Sequence, residues 1–154
     1  MLFPGGRLPL RIFETRYMDM AKACLKDSSP FGVCLILEGR EVGEPALPAA
    51  VGTLARIESW DMPQLGLLEI VARGAERFRI LERRIEKGGL SRARVELLAP
   101  EVDAEARGSL AYCARLLERV PLPLGLQQEL LELDAAPARL ERINALLEGK
   151  PEAS

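Results

Sequence analysis

Histidine is absent from the 154 residues. No Ser-His or Cys-His nucleophile pair, histidine metal ligand or histidine acid–base can therefore be assembled. Cys24, Cys34 and Cys113 are odd in number and widely spaced, which signals neither a disulfide framework nor a zinc site. They read as small buried hydrophobes in a reducing cytoplasm. Carboxylate chemistry on Glu14 or Asp61 is a third-ranked reading, because neither has a paired acid at a useful spacing. Glu14 and Arg16, flanked by Phe13 and Tyr17, read instead as an ion pair at a helix start with two aromatics in the core. Gly149-Lys150-Pro151 lacks both the Ser or Thr after lysine and the glycine spacing of a phosphate loop. Catalytic residues, metal ligands and cofactors are accordingly expected to be none.

Two groups of residues suit binding better than catalysis. Arg77 and Arg79 alternate with Phe78 and Ile80 in a strand pattern, and Arg92 and Arg94 extend the same face across the next strand. Such a face suits an acidic peptide or RNA phosphate, or it is a solvated barrel surface partly neutralised by Glu76, Glu82, Glu86 and Glu96. Aromatic stacking platforms are scarce there, which weakens the RNA reading. Trp60, Met62 and Leu65 form the second group, apolar side chains placed among the turn residues of a hairpin. Residues of that kind make an adaptable patch for unfolded polypeptide, unless Trp60 packs into the core and only Met62 is exposed.

The elements that hold these groups follow from periodicity and breakers. The chain opens Leu2-Phe3-Pro4-Gly5-Gly6 and continues Leu8-Pro9-Leu10-Arg11-Ile12-Phe13-Glu14-Thr15-Arg16-Tyr17. Both prolines favour extended geometry before them, and the glycine pair permits a turn between the two pieces. Residues 14–26 carry Tyr17, Met20, Ala21 and Cys24 at helical spacing, and Pro30 closes that helix. Residues 31–37 read as one central strand buried on both faces. A turn at 38–43, with Glu41-Val42-Gly43, and an irregular loop over 44–50 follow. Strands are expected at 51–60 and 67–72, joined through 61–66, then a turn at Gly74, a strand through Phe78 and Ile80, a turn at Gly88-Gly89, and a last strand through Ala93, Val95 and Leu97. Hairpin links make the sheet mostly antiparallel, and closing it into a small barrel would bury its edges.

Beyond Pro100 the period becomes helical. Residues 103–120 have Asp103 as an N-cap candidate, 124–133 form a short helix, and 134–147 form another with Asp134 as its cap and Pro137 in its first turn. The charge changes sign at the same place. Residues 73–100 hold eight basic and four acidic side chains, whereas from Glu101 onward six basic face ten acidic ones. The whole chain is formally −2, with 48% hydrophobic and 29% charged residues, the profile of a folded soluble protein. No apolar run is long enough for a membrane span and the start lacks a signal-peptide pattern. The expectation is a β-rich unit over 1–100 and a helical subdomain over 101–150, acting in the cytoplasm.

The order of these pieces resembles the LON substrate-binding domain, the N-terminal module of Lon-type ATP-dependent proteases. The likeness starts in the opening and continues through Phe31-Gly32-Val33, Leu35-Ile36, Glu41-Val42-Gly43 and Val51-Gly52-Thr53-Leu54-Ala55-Arg56-Ile57. It includes Gly74 with Arg77-Phe78-Arg79-Ile80, and Val120-Pro121-Leu122-Pro123-Leu124 before Leu130-Leu131-Glu132. The resemblance implies an α+β fold, a PUA-like antiparallel β pseudobarrel followed by small helices. It implies a non-catalytic module that binds unfolded polypeptide or a specific protein partner; since the sequence has no phosphate loop and 154 residues are too few for the ATPase and Ser-Lys protease modules, a free-standing module is expected. The alternative is a PUA-like RNA-binding module using the basic hairpin 73–94. Nucleic acid and membrane are not expected as partners, and a homo-oligomer is left open.

Overall fold

A computed structural model describes residues 1–38, 47–99, 104–119 and 122–148. Of the turn expected at 38–43 and the irregular loop expected over 44–50, residues 39–46 lie outside the described residues, as do Pro100, the proposed Asp103 cap, Val120-Pro121 and the tail from Gly149, whereas Leu47–Pro48 of that loop form a short strand. The elements are β1 Arg7–Ile12, α1 Thr15–Asp27, β2 Phe31–Val33, β3 Ile36–Glu38, β4 Leu47–Pro48, β5 Val51–Gln64, β6 Leu67–Ile85, β7 Ser91–Leu97, α2 Ala104–Arg119, α3 Leu124–Glu132 and α4 Ala136–Leu147. The main sheet runs β1-β6-β5-β2, with β7 also paired to β6, and every described ladder is antiparallel. The fold is thus mostly antiparallel sheet with four helices, as the alternation and the helical periods predict.

The centre of the sheet is one long ribbon. β5 and β6 pair from Val51↔Arg79 to Gln64↔Leu67 with three register shifts. The connection predicted over 61–66 shrinks to Leu65-Gly66, because Asp61 to Gln64 remain in the strand. Pro63 is tolerated within the last register shift, where a proline need not donate to the ladder. Gly66 has φ +83°, the left-handed geometry that a tight turn takes most easily at glycine. The expected turn at Gly74 is also corrected, since β6 runs through it. Its backbone meets the opening segment. Gly5 N–H donates to the Gly74 carbonyl at 2.9 Å, and Gly74 N–H donates to the Gly6 carbonyl at 2.9 Å. A Cβ on Gly74 would lie 2.1 Å from the Phe3 carbonyl oxygen, so only glycine permits this approach.

Residues 31–37 do not form one central strand. Phe31–Val33 pairs with β5 as the outer strand of its sheet, whereas Ile36–Glu38 pairs with β4 in a separate ladder. The continuous apolar run had pointed to two buried faces, but only Phe31 among these residues is buried. At α1 the chain stops at Ser28, whose φ of 53° is left-handed, with Ser29 N–H donating to the Cys24 carbonyl at 3.1 Å. The N-cap of α4 is Ala135 rather than Asp134, and it makes no side-chain cap bond. Asp134 turns to an arginine of β6 instead.

Two hydrophobic clusters organise the interior. Ile12, Ala21, Cys24, Phe31, Ala55, Leu68, Ile70 and Ala72 join the sheet to α1. Val51, Leu110, Cys113, Ala114, Leu130, Leu131 and Ile143 join the start of β5 to α2, α3 and α4. Adjacent residues at the N-terminus are divided between them: Leu2 belongs to the first cluster and Phe3 to the second. The opening pentapeptide therefore fastens sheet and helices together. The helices, too short to persist alone in water, are held by this apolar contact.

Candidate functional site

The end of the β5–β6 ribbon carries the predicted apolar group. Trp60 stands opposite Ile70 and Asp61 opposite Glu69, just before the two-residue turn. Leu65 is 98% exposed and Trp60 58% exposed, whereas Met62 packs against the sheet cluster. The structure thus places Trp60 and Leu65 outside and Met62 partly inside, because the bulged strand carries Met62 back over the core. Beside Trp60 lies a shallow cleft of about 540 Å³, lined among others by Pro9, Leu10, Arg11, Asp61 and Glu69. Across the three strands, Leu10, Ile70 and Trp60 are register neighbours, so the buried apolar row emerges into solvent at the indole. Asp61 accepts a hydrogen bond from the Met62 N–H at 2.8 Å, a local bond between sequence neighbours.

The four arginines chosen for an anionic partner are not equivalent. Arg79 lies opposite Glu96, and the pairs Glu82↔Arg94 and Arg84↔Arg92 continue that face of the β6–β7 ribbon. Arg94 Nη2 sits 3.6 Å from Glu82 Oε2, and Arg92 Nε is paired with Glu86 Oε1. Arg77 leaves the group. It is only 5% exposed, and its Nη1 donates to the Leu131 carbonyl at 2.9 Å and lies 3.3 Å from Asp134 Oδ1. Alternation puts Arg77 and Arg79 on one side of the strand, but α3 covers that side at Arg77. Phe78 is buried and offers no stacking surface.

Glu14 and Arg16 form the expected ion pair, with Nε to Oε2 at 2.8 Å. Arg16 Nη1 also donates to the Gly89 carbonyl at 3.0 Å, and its guanidinium lies 4.7 Å from the Tyr17 ring centre. The corner is a latch between the α1 start and the β6–β7 turn. Phe13, expected in the core, is exposed instead, pointing away from the sheet cluster to which its neighbour Ile12 belongs. The cysteines are all free thiols. Burial pushes the Cys34 thiol up to about 11, which leaves it poorly nucleophilic at neutral pH. Among the described residues, no cluster of three metal-ligating side chains occurs and no helix is long and apolar enough to cross a membrane.

Two features escape a reading of the sequence alone. One is a charged row on the exposed face of the sheet. Arg7 stands opposite Arg73 on β6, and Arg73 stands opposite Arg56 on β5. Glu58 reaches both neighbours, with Arg73 Nε at 3.0 Å from Oε1 and Arg7 Nε at 3.2 Å from Oε2. The hydrogen bond from Arg73 in particular holds the Glu58 carboxyl below its usual range. The other is Arg139, 0% exposed, which donates to the Leu130 carbonyl at 3.1 Å, to Ser109 Oγ at 2.7 Å and to the Leu133 carbonyl. Cross-strand register and helix packing bring these groups together, Arg7 with Glu58 and Arg139 with Ser109 among them, so spacing along the chain carried no signal.

Comparison with known proteins fits this architecture. The family profile of the ATP-dependent protease La (LON) substrate-binding domain matches residues 1–121. The crystal structure of a Lon N-terminal domain protein from Xanthomonas campestris is 35% identical and superposes with a TM-score of 0.76, covering 98% of this chain and 94% of that one. The N-terminal domain of a Mycobacterium avium complex Lon protease shares the fold at 19% identity, with a TM-score of 0.62 over 92% of this chain and 89% of that one. Protein cereblon from Gallus gallus is 30% identical over 105 residues, 66% of this chain, and that from Danio rerio is 25% identical over 124 residues, 79% of this chain. The chain spans only 22% and 28% of those two relatives. With the profile matching most of its length and the sheet, ribbon and helices following the same plan, the chain belongs to the LON substrate-binding domain family.

Proposed function

We propose that this domain is a non-catalytic module that recognises polypeptide, and that the end of the β5–β6 ribbon is its contact surface. The observation that carries the reading is the exposure of Trp60 in the last part of β5 and of Leu65 in the two-residue turn that follows it, in a family whose description is substrate binding. Apolar area left in water at that turn becomes favourable on contact with a partner, at roughly 25 cal/mol per Å². The cleft beside Trp60 offers room for one or two side chains of an extended segment. Neither a nucleophile–base pair nor a phosphate loop supports catalysis in this sequence. Three free cysteines fit a reducing compartment, for which we propose the cytoplasm.

RNA is the less favoured partner on the observations at the basic hairpin. Arg77 is occupied by the α3 carbonyls, and Arg92 and Arg94 each sit beside a carboxylate. The test is direct. The purified protein is titrated with a fluorescent, permanently unfolded polypeptide and, separately, with structured RNA at two salt concentrations. Saturable capture of the polypeptide, weakened severalfold by Leu65→Ser, is the expected result. Salt-sensitive RNA binding without polypeptide capture would replace this reading by the RNA one.

A further inference from the structure

We propose that the row Arg7–Arg73–Arg56 is a receptor for the acidic end of an extended polypeptide lying across the exposed face of β1, β6 and β5. The inference rests on the polypeptide-binding reading and names the chemistry of the segment. Neighbouring strands lie about 4.8 Å apart, so the three arginines span roughly 10 Å. Like charges directly opposite one another weaken a sheet. Here two of the three guanidiniums, those of Arg7 and Arg73, share one carboxylate, Glu58. Arg56 meets no carboxylate among the described residues, and its Nη1 donates a long bond to the Ser28 carbonyl at 3.4 Å. Each guanidinium has five N–H donors in a planar fork that matches a carboxylate in two-point fashion. The Arg73 hydrogen bond, with smaller contributions from the Arg7 and Arg73 charges, already lowers the pKa of the carboxyl at Glu58.

The rest of the face gives the segment a direction. The next row on the same side is Pro9–Val71–Ser59, small and largely apolar. The row after that is Arg11–Glu69–Asp61, two carboxylates to one arginine, with Arg11 paired to Glu69 at 3.3 Å. The face is therefore positive at one end, neutral in the middle and negative at the other. Two steps of two residues separate the ends, roughly 13 Å, or about four residues of extended chain. A complementary segment has Asp or Glu first, an apolar residue two positions on, and Lys or Arg two positions further. A nucleic acid fits poorly, since the negative row would lie against its phosphates and the middle row has no stacking ring.

The experiment uses the intact protein and three labelled twelve-residue peptides. One contains Asp-Asp-x-Val-x-Lys, the second replaces both Asp by Asn, and the third exchanges the acidic and basic positions. The first should bind about fivefold more tightly than either control, the factor that corresponds to an exposed ion pair of about 1 kcal/mol. Arg56→Gln should erase that preference while leaving the Asn peptide unchanged, and Glu58→Gln should strengthen the first peptide, since it frees two guanidiniums. Arg56 is the informative position because its side chain is exposed and makes a single long bond, and a thermal melt checks that its variant is folded. Equal binding of all three peptides, unaltered by Arg56→Gln, would overturn the receptor while leaving polypeptide recognition intact. Failure to bind any peptide or the unfolded polypeptide would remove both readings. RNA binding abolished by Arg56→Gln, with the peptide preference absent, would assign the row to nucleic acid instead.

Discussion

Arg77 on β6 and Arg139 on α4 both donate to one carbonyl, that of Leu133 just beyond α3. Between them they also bind the Leu130 and Leu131 carbonyls, so the unpaired carbonyl end of α3 is satisfied by two buried cations. A helix C-terminus carries partial negative charge, which makes guanidinium its natural partner. This is how the sheet and the three C-terminal helices are held in one geometry, in addition to the apolar contact of Phe3 and Val51.

Removing either arginine should therefore unfold the protein more easily. Arg139→Leu removes three hydrogen bonds and leaves the Leu130 carbonyl without its arginine, at an expected cost of about 3 kcal/mol or more, and Arg77→Leu is expected to cost about 2 kcal/mol, from roughly 1–3 kcal/mol per buried group left unpaired. Asp134 is largely exposed, so Asp134→Ala should cost less than about 1 kcal/mol. Urea denaturation of the three variants separates the effects. Equal losses for Arg77→Leu and Asp134→Ala would mean that the ion pair, not the carbonyl bonds, carries the contact.

Gly74→Ala should be among the most damaging single-methyl additions in the chain. The new Cβ would meet the Phe3 carbonyl, a backbone atom that cannot rotate aside. Overpacking of this kind costs about 1–3 kcal/mol or more, and relief requires the opening segment to detach. The expected signature is a lower melting temperature together with faster hydrogen exchange at the Gly5 and Gly74 amides. A variant as stable as the parent would show that the N-terminal segment is not seated on β6.

The ribbon end separates capture from stability. Leu65→Ser and Trp60→Ser should stay within about 1 kcal/mol of the parent, as exposed positions do, whereas Met62→Ser should cost more because Met62 packs on the sheet cluster. Polypeptide capture should fall severalfold in the first two. If Met62→Ser alone lowered capture while Leu65→Ser left it intact, the contact would lie on the flank of the ribbon rather than at its turn.

Glu58 supplies a pH readout. The hydrogen bond from Arg73 lowers its folded-state pKa, and the Arg7 charge and burial make smaller, opposed contributions. A carboxyl depressed in the folded state adds stability above its unfolded pKa, and that stability is lost as pH falls through the folded value. Following the Glu58 carboxyl carbon by NMR, Arg73→Gln should raise the midpoint toward the ordinary carboxylate range. An unmoved midpoint would show that the cross-strand contact does not form in solution.

Much of this protein was legible from local pattern. Alternation of period two found the strands through Ile57, Ile70 and Ile80, helical spacing found α1 through Tyr17 and Cys24, and the prolines and glycines marked most of the ends. The opening residues and the later motifs in their order gave the family. These signals are local because backbone geometry repeats over two to four residues, and each residue type prefers one repeat over the others.

Other properties depended on which distant segments meet. Gly74 read as a turn because a glycine's freedom is visible in sequence, whereas the backbone pressed against it, seventy residues away at Phe3, is not. Arg77 read as exposed because alternation assigns a side of the strand and not what covers that side. Residues 31–37 read as one strand although two different partners claim its halves. The row of Arg7, Arg73 and Arg56 exists only through the register of three strands, and a shift of one residue would move its arginines to opposite faces. Burial, register and the partners of charged groups are long-range quantities, decided when hydrophobic burial brings chain segments together, and only the tertiary structure contains them.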